Sequence, residues 1–226
     1  MPRIPRGLVA GYAYHVLNRG NDRKEVFRKP KDYQAFQELM WLAGTRHAVR
    51  ILAYCLMPNH FHIVLIPLEP KNLSCWVQWL LTSHVRRYHK HYAGSGHVWQ
   101  GRFKSFPVQE DDHLITVMRY VERNPLNAGL VGSAKDWPWS SHRQRIGKCS
   151  PTLLDASPVA LPKDWSGYVD SPFRGEELRE IEECLQRQSP FGFPEWKQTV
   201  ASSLGLESTL RPRGRPRKVA CPLLSR

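Results

Sequence analysis

The chain has 226 residues, 41% of them hydrophobic and 11% aromatic, room for one substantial domain with extensions or for two small ones. No apolar run approaches the roughly 20 residues of a membrane span, and the amino-terminal stretch lacks a signal-peptide core; five cysteines without a C-x-x-C pair argue against a zinc ribbon or a secreted disulfide framework. The net charge of +13 is uneven, with +12 over residues 1–150, −5 over 151–210 and +6 over 211–226, a field suited to a polyanion, nucleic acid first, and to a cytoplasmic, nucleoid-associated protein.

The stretch "YAYHVLNRG" (Tyr12–Gly20) is aromatic and branched and ends in glycine, which predicts a strand and a turn. Tyr33, Phe36, Leu39, Met40 and Ala43 fall at helical spacing, giving an amphipathic helix from Lys31 to Arg46. "VRILAYCLM" (Val49–Met57) is a second strand, Pro58 and Asn59 supply turn chemistry, and "HFHIVLIP" (His60–Pro67) returns as a third, antiparallel strand. Apolar residues from Leu73 to Tyr88 mark a long helix reaching Tyr92, broken by Gly94 and Gly96. "RFKSFPV" (Arg102–Val108) alternates as a fourth strand. Asp111 or Asp112 can cap a helix from about His113 to Asn124, with Pro125 as its stop.

This order predicts an α+β fold, a mainly antiparallel sheet with helices on one side, close to the ferredoxin-like arrangement. The expected division is a domain over 1–145, a partly helical extension over 146–210 containing an acidic helix from Glu176 to Gln188, and a basic tail over 211–226.

Within the third strand, His60 and His62 are i and i+2. They project from one face while Phe61 and Ile63 face the other. Two convergent imidazoles can chelate a divalent cation, and they can equally be a hydrogen-bonded pair on a sheet surface; the strand alone leaves both open. His89 and His91 repeat the H-x-H spacing near a helix end, where i and i+2 diverge by about 200°, so they are not expected to chelate together. On the helix before Pro125, Tyr120 and Asn124 are i and i+4 on one face, a hydroxyl beside an amide oxygen. Arg119 and Arg123 form a second such pair, suited to phosphate. Tyr120 as a core-edge aromatic and Asn124 as a helix terminus fit the same spacing.

Taken together, "NRG" (Asn18–Gly20), "MPNHFH" (Met57–His62), "WQGRFKS" (Trp99–Ser105), "YVERNPLNAGLV" (Tyr120–Val131) and "WPWSS" (Trp137–Ser141) resemble the REP-associated tyrosine transposases. These are relatives of the single-tyrosine HUH transposases of bacterial insertion sequences, U being a bulky hydrophobic residue. The likeness covers about residues 10–145. It implies the HUH endonuclease fold and a nuclease and strand transferase acting on single-stranded or hairpin DNA such as REP elements. It implies Mg²⁺ or Mn²⁺ held by His60 and His62, Tyr120 as nucleophile, no nucleotide cofactor, no membrane, and a monomer or homodimer. Asn124 falls where a third ligand is expected, although many relatives have glutamine there.

The implied chemistry is self-consistent. Tyrosine attack on a DNA phosphate leaves a 5′-phosphotyrosine, still a phosphodiester, which a 3′ hydroxyl can reseal without added energy; water as nucleophile would cut but not rejoin. At a pKa of about 10 only ~0.1% of free tyrosine is phenolate at pH 7, so a base or a nearby charge is needed, with Arg119, Arg123 or the cation as candidates. Asn18, Arg19, Arg102, Lys104, Arg119 and Arg123 are the expected DNA contacts, with Phe103 and Phe106 either stacking on bases or belonging to the core. Arg213 and Arg215 flank Gly214 either as a minor-groove hook or as part of a nonspecific basic tail. Three other readings remain at this point. One is a non-catalytic DNA-binding regulator on the same fold. Another is a replication initiator or relaxase, for which the chain is short. The third is a metal phosphodiesterase that uses water.

Overall fold

A computed structural model describes residues 7–148 and 153–211. Strand β1 (Ala13–Arg19) leads through a 3₁₀ turn at 21–23 to helix α1 (Pro30–Arg46), then β2 (Val49–Met57), β3 (His60–Pro67), α2 (Asn72–Tyr92), β4 (Lys104–Val108) and α3 (Asp112–Asn127). The sheet runs β2-β3-β1-β4 with every neighbouring pair antiparallel, which is the expected ferredoxin-like order. Helix α1 begins one residue before the expected Lys31. Pro30 opens α1, and Asp32 reaches back to the Arg28 and Lys29 amides. The Asp111 carboxylate accepts from the His113 amide at the start of α3.

The two faces of the sheet carry two cores. On one, α1 and α2 pack on the even-numbered positions of β1 and the odd-numbered positions of β3, with Phe36, Trp76, Tyr14, Phe61, Ile63 and Leu65 fully buried. Each such side chain contributes roughly 1.5–3 kcal/mol. On the other face α3 covers Val64, Ile66, Phe106 and Val108. Helices were expected on one side; α1 and α2 lie there, and α3 with the carboxy-terminal helices forms a further layer opposite. The strands are apolar on both faces, and an apolar face has to be buried.

The later helices are α4 (His142–Arg145), α5 (Trp165–Asp170), α6 (Gly175–Arg187), α7 (Pro194–Leu204) and α8 (Glu207–Leu210). Trp165, Val169, Ile181, Leu185 and Phe191 share the α3-side core with the sheet. The segment before α4 and the one between α6 and α7 also close the sheet edges. The Leu56 amide donates to Trp139 O, and Ser141 pairs back to Tyr54 O along β2. The Phe191 amide donates to Pro107 O beside β4. Covered edges do not recruit foreign strands.

Helix α3 does not stop where expected. Pro125 lies inside it, and the helix continues to Asn127, with the Ala128 amide donating to Asn124 O at 3.0 Å. Proline forfeits its own amide bond, but Pro125 is buried and the following turn supplies bonds around it.

Candidate active site

The cleft forms where β1 ends and β3 and β4 begin, beneath α3 and α6. It has a volume of about 520 Å³, and its lining includes His60, His62, Tyr120, Asn124, Arg19 and Arg102. The hairpin between β2 and β3 places the histidines. Met57 pairs with His60, so Pro58 and Asn59 alone make the turn. That turn is fastened to the preceding loop. Val26 and Phe27 amides donate to Pro58 O at 2.8 and 3.0 Å, and the Gly20 amide donates to Asn59 O at 2.7 Å. Gly20 is required by closeness, because a Cβ there would lie 2.3 Å from the Lys24 carbonyl oxygen.

Strand parity holds. His60 and His62 share a face with Val64, and their ring centroids are 5.0 Å apart. His62 is 3% exposed and His60 is half-buried. The Asn59 amide group donates to Arg23 O at 3.1 Å, which turns its oxygen toward His60 Nδ1, 2.6 Å away. The His60 proton therefore sits on Nδ1, and Nε2 keeps its lone pair. Burial and the Arg19 charge hold His60 down to about 4, against the opposing effect of a hydrogen bond with Asn124. Burial, then the neighbouring His60, His15 and Arg19, hold His62 well below the usual histidine range. Both rings are neutral at pH 7 and able to act as ligands.

Helix α3 crosses this face with Tyr120 and Asn124 turned toward the cleft. The Tyr120 ring stands edge-on to His62, centroids 5.6 Å apart and planes at 85°. Burial pushes the Tyr120 phenol up to about 12; a hydrogen bond with Asn124 and the charge of Arg19 act the other way, and Glu182 adds to the rise. Asn124 thus stands between His60 and Tyr120. Among the described residues no group of three or more His, Cys, Asp or Glu side chains converges on one point. A cation here would draw on the two imidazoles and the Asn124 amide oxygen, a mixed nitrogen and oxygen set that Mn²⁺ and Mg²⁺ accept.

Of the expected DNA contacts, Asn18, Arg19, Arg102 and Lys104 line the cleft. Asn18 is 4% exposed, and its amide oxygen accepts from the Arg19 backbone at 2.9 Å. Arg119 and Arg123 are corrected: both face away from the cleft. Arg119 is 4% exposed, donates to Ser171 O and Pro172 O, and lies over the Phe173 ring. Arg123 donates to the carbonyls of Val169 and Asp170. Their stripe of α3 meets the extension, whose open carbonyls take up the guanidinium groups, so neither stands beside the Tyr120 oxygen as a phosphate or phenolate partner. Phe103 and Phe106 are core residues. His89 and His91 diverge, one toward Gly96 O and the other toward Lys29. Arg213 and Arg215 lie outside the described residues.

The sequence set Tyr14, His15, Asn18 and Arg19 along an adjacent strand edge and Gln100 within the "WQGRFKS" motif, but showed none of the contacts that follow. His15 is fully buried against His62, with nitrogen atoms 2.9 Å apart. Gln100 and the α6 residues Glu182, Leu185 and Gln186 complete the cleft wall. The acidic helix was legible in the sequence; its placement over the cleft was not.

Comparison with known proteins places these features in context. The sequence profile of the family described as "Transposase IS200 like" matches residues 8–124, a span that takes in both histidines, Tyr120 and Asn124. A protein of Haemophilus influenzae described as a REP-associated tyrosine transposase is 28% identical over 136 residues, covering 55% of this chain and 71% of that one. A solved REP-associated tyrosine transposase bound to a REP hairpin superposes with a TM-score of 0.54 at 19% identity, over 72% of this chain and 96% of that one. This last likeness is one of fold. No helix among the described residues is long and apolar enough to cross a membrane.

Proposed function

The chain belongs to the IS200-like transposase family, and from that premise we propose that it is a single-stranded DNA endonuclease and strand transferase of the REP-associated type. Tyr120 is the nucleophile and hairpin DNA the substrate. The observation that supports this most directly is the meeting of a phenol, an amide and two neutral imidazoles in one basic cleft of a single chain.

In this reading Arg19, Arg102 and Lys104 draw the phosphate backbone into the cleft. The Tyr120 oxygen attacks the scissile phosphorus, loses its proton, and displaces the 3′ oxygen, which takes up a proton as it leaves. The strand stays attached through a 5′-phosphotyrosine. Attack by a 3′ hydroxyl on that linkage restores the DNA phosphodiester and returns the phenol. Burial keeps the Tyr120 proton in place at neutral pH, so the phenol needs an acceptor at the moment of attack. Arg19 is the cation whose charge eases its loss. His60 Nε2, His62 Nε2 and the Asn124 oxygen would hold Mg²⁺ or Mn²⁺, which polarises a non-bridging phosphate oxygen when bound.

The test compares a REP-type single-stranded hairpin with the same bases scrambled so that no stem forms, each with Mn²⁺. The proposal expects cutting of the hairpin in preference to the unpaired strand. Equal cutting would contradict hairpin recognition. Binding without cutting of either would contradict the nuclease.

A further inference from the structure

Resting on the reading of His62 as a metal ligand, we propose that His15 is a positioning residue that fixes the ring orientation and proton location of His62, so that the lone pair of His62 Nε2 faces the cleft. In the β1–β3 ladder, Leu17 stands opposite His62 and His15 opposite Val64, so the two histidines are diagonal neighbours on one face. Their rings are stacked, 5.1 Å between centroids and 6° between planes, and His15 Nε2 lies 2.9 Å from His62 Nδ1. Phe106 and Tyr120 both stand edge-on to His15, at 5.1 and 6.2 Å. With neighbours on three sides and no solvent exposure, His15 has little freedom to turn.

A neutral imidazole has one N–H and one lone pair, and two neutral rings that share a hydrogen bond place one proton between them. If that proton belongs to His15 Nε2, then His62 accepts at Nδ1, carries its own proton on Nε2, and offers the cleft no lone pair. If it belongs to His62 Nδ1, then His62 Nε2 is free and His15 carries its proton on Nδ1. Only the second arrangement binds a cation. His60 has its proton fixed on Nδ1 by the Asn59 oxygen, and His15 does for His62 what Asn59 does for His60. The second arrangement leaves His15 Nδ1–H buried without a partner, since that atom makes no hydrogen bond. A cation on His62 Nε2 would select the second arrangement, in which His15 Nε2 is the acceptor. Ligating histidines are commonly oriented by an acceptor for their second nitrogen; here the acceptor is itself an imidazole.

The test uses the full-length protein and reads Mn²⁺ affinity by electron paramagnetic resonance, with no DNA present. His15→Leu leaves His62 Nδ1 unpartnered and should weaken Mn²⁺ binding about 10–100-fold. His15→Gln can return an amide oxygen near the same place and should recover most of that loss. Nitrogen-15 shifts of the His62 ring in the Mg²⁺-saturated wild type should show the proton on Nδ1, a readout that stands even if a variant fails to fold. Unchanged Mn²⁺ affinity in His15→Leu, or a His62 proton on Nε2 with Mg²⁺ bound, would overturn the inference while leaving the metal site intact. Wild-type affinity in His62→Ala would overturn both.

Discussion

The Arg119 guanidinium donates to the carbonyl oxygens of Ser171 and Pro172 at 2.7 and 2.8 Å, with its charge 4.2 Å from the centre of the Phe173 ring. This ties the helix that carries Tyr120 to the carboxy-terminal extension. Hydrogen bonds to charged groups contribute about 1.5–3 kcal/mol, so Arg119→Ala should cost about 2–3 kcal/mol, read from urea midpoints. It should leave the salt dependence of DNA binding unchanged. Arg102→Ala should instead flatten that dependence by about 0.7 per lost contact on single strands. Equal effects of the two substitutions on the salt slope would contradict the assignment of Arg119 to the extension.

A second tie is the fully buried Glu122. It accepts from Ser141 at 2.6 Å, His142 at 2.9 Å, Arg145 at 3.1 Å and Trp165 at 2.6 Å. Removing one member of a buried charged group strands the others, at a cost of about 3–5 kcal/mol. Glu122→Ala should therefore destabilise the whole protein and not the extension alone. Retention of the wild-type thermal midpoint would show that the network contributes no net stability.

Acid should destabilise the fold ahead of the usual carboxylate range. Burial holds His15 down to about 3 and His84 down to about 4. Unfolded imidazoles bind a proton near 6.5, so below about pH 6.5 only the unfolded chain takes up these protons. Stability is full above that pH and falls as pH drops toward 4, by up to about 1.4 kcal/mol per pH unit for each such group. Glu122 adds to the loss lower down. Burial alone would raise its pKa, but the His142 hydrogen bond and the Arg145 charge outweigh it and hold the carboxyl below its ordinary range. Its contribution is present above about pH 4.5 and is lost as pH falls through the lowered value. Urea midpoints at pH 7.5, 6 and 5 check this; equal values would contradict it.

What the sequence showed followed from local periodicity, and what it concealed depended on tertiary partners. The alternation of "HFHIVLIP" was sufficient to place His60 and His62 on one face. The i, i+4 spacing likewise put Tyr120 and Asn124 together. The His15–His62 contact depends on the pairing register of two strands 47 positions apart in the chain, which no local pattern specifies. Arg119 and Arg123 were also found as a pair, but what they face was set by the extension, whose packing leaves no periodic trace. Pro125 reads as a stop, yet it is buried inside α3 and the helix runs on to Asn127.

The metal set is tested by substitution and chelation together. His60→Ala and His62→Ala should each abolish cleavage, as should EDTA on the wild type. His89→Ala and His91→Ala should cut at near-normal rates, since those rings diverge toward Gly96 and Lys29. Asn124→Asp should retain activity, because a carboxylate is a good Mg²⁺ or Mn²⁺ ligand, while Asn124→Ala should lose much of it. Full activity in EDTA would end the metal reading.

The most direct measurement of the central claim is a covalent-trapping assay with labelled single-stranded hairpin DNA and Mn²⁺. Wild-type protein should yield a protein–DNA adduct whose linked peptide contains Tyr120. Tyr120→Phe, which removes one oxygen from a ring set edge-on to His62, should give no adduct while binding the hairpin with unchanged affinity. An adduct that persists in Tyr120→Phe and maps to Tyr88 or Tyr92, or cleavage that continues without any adduct, would contradict the assignment of Tyr120 as the nucleophile.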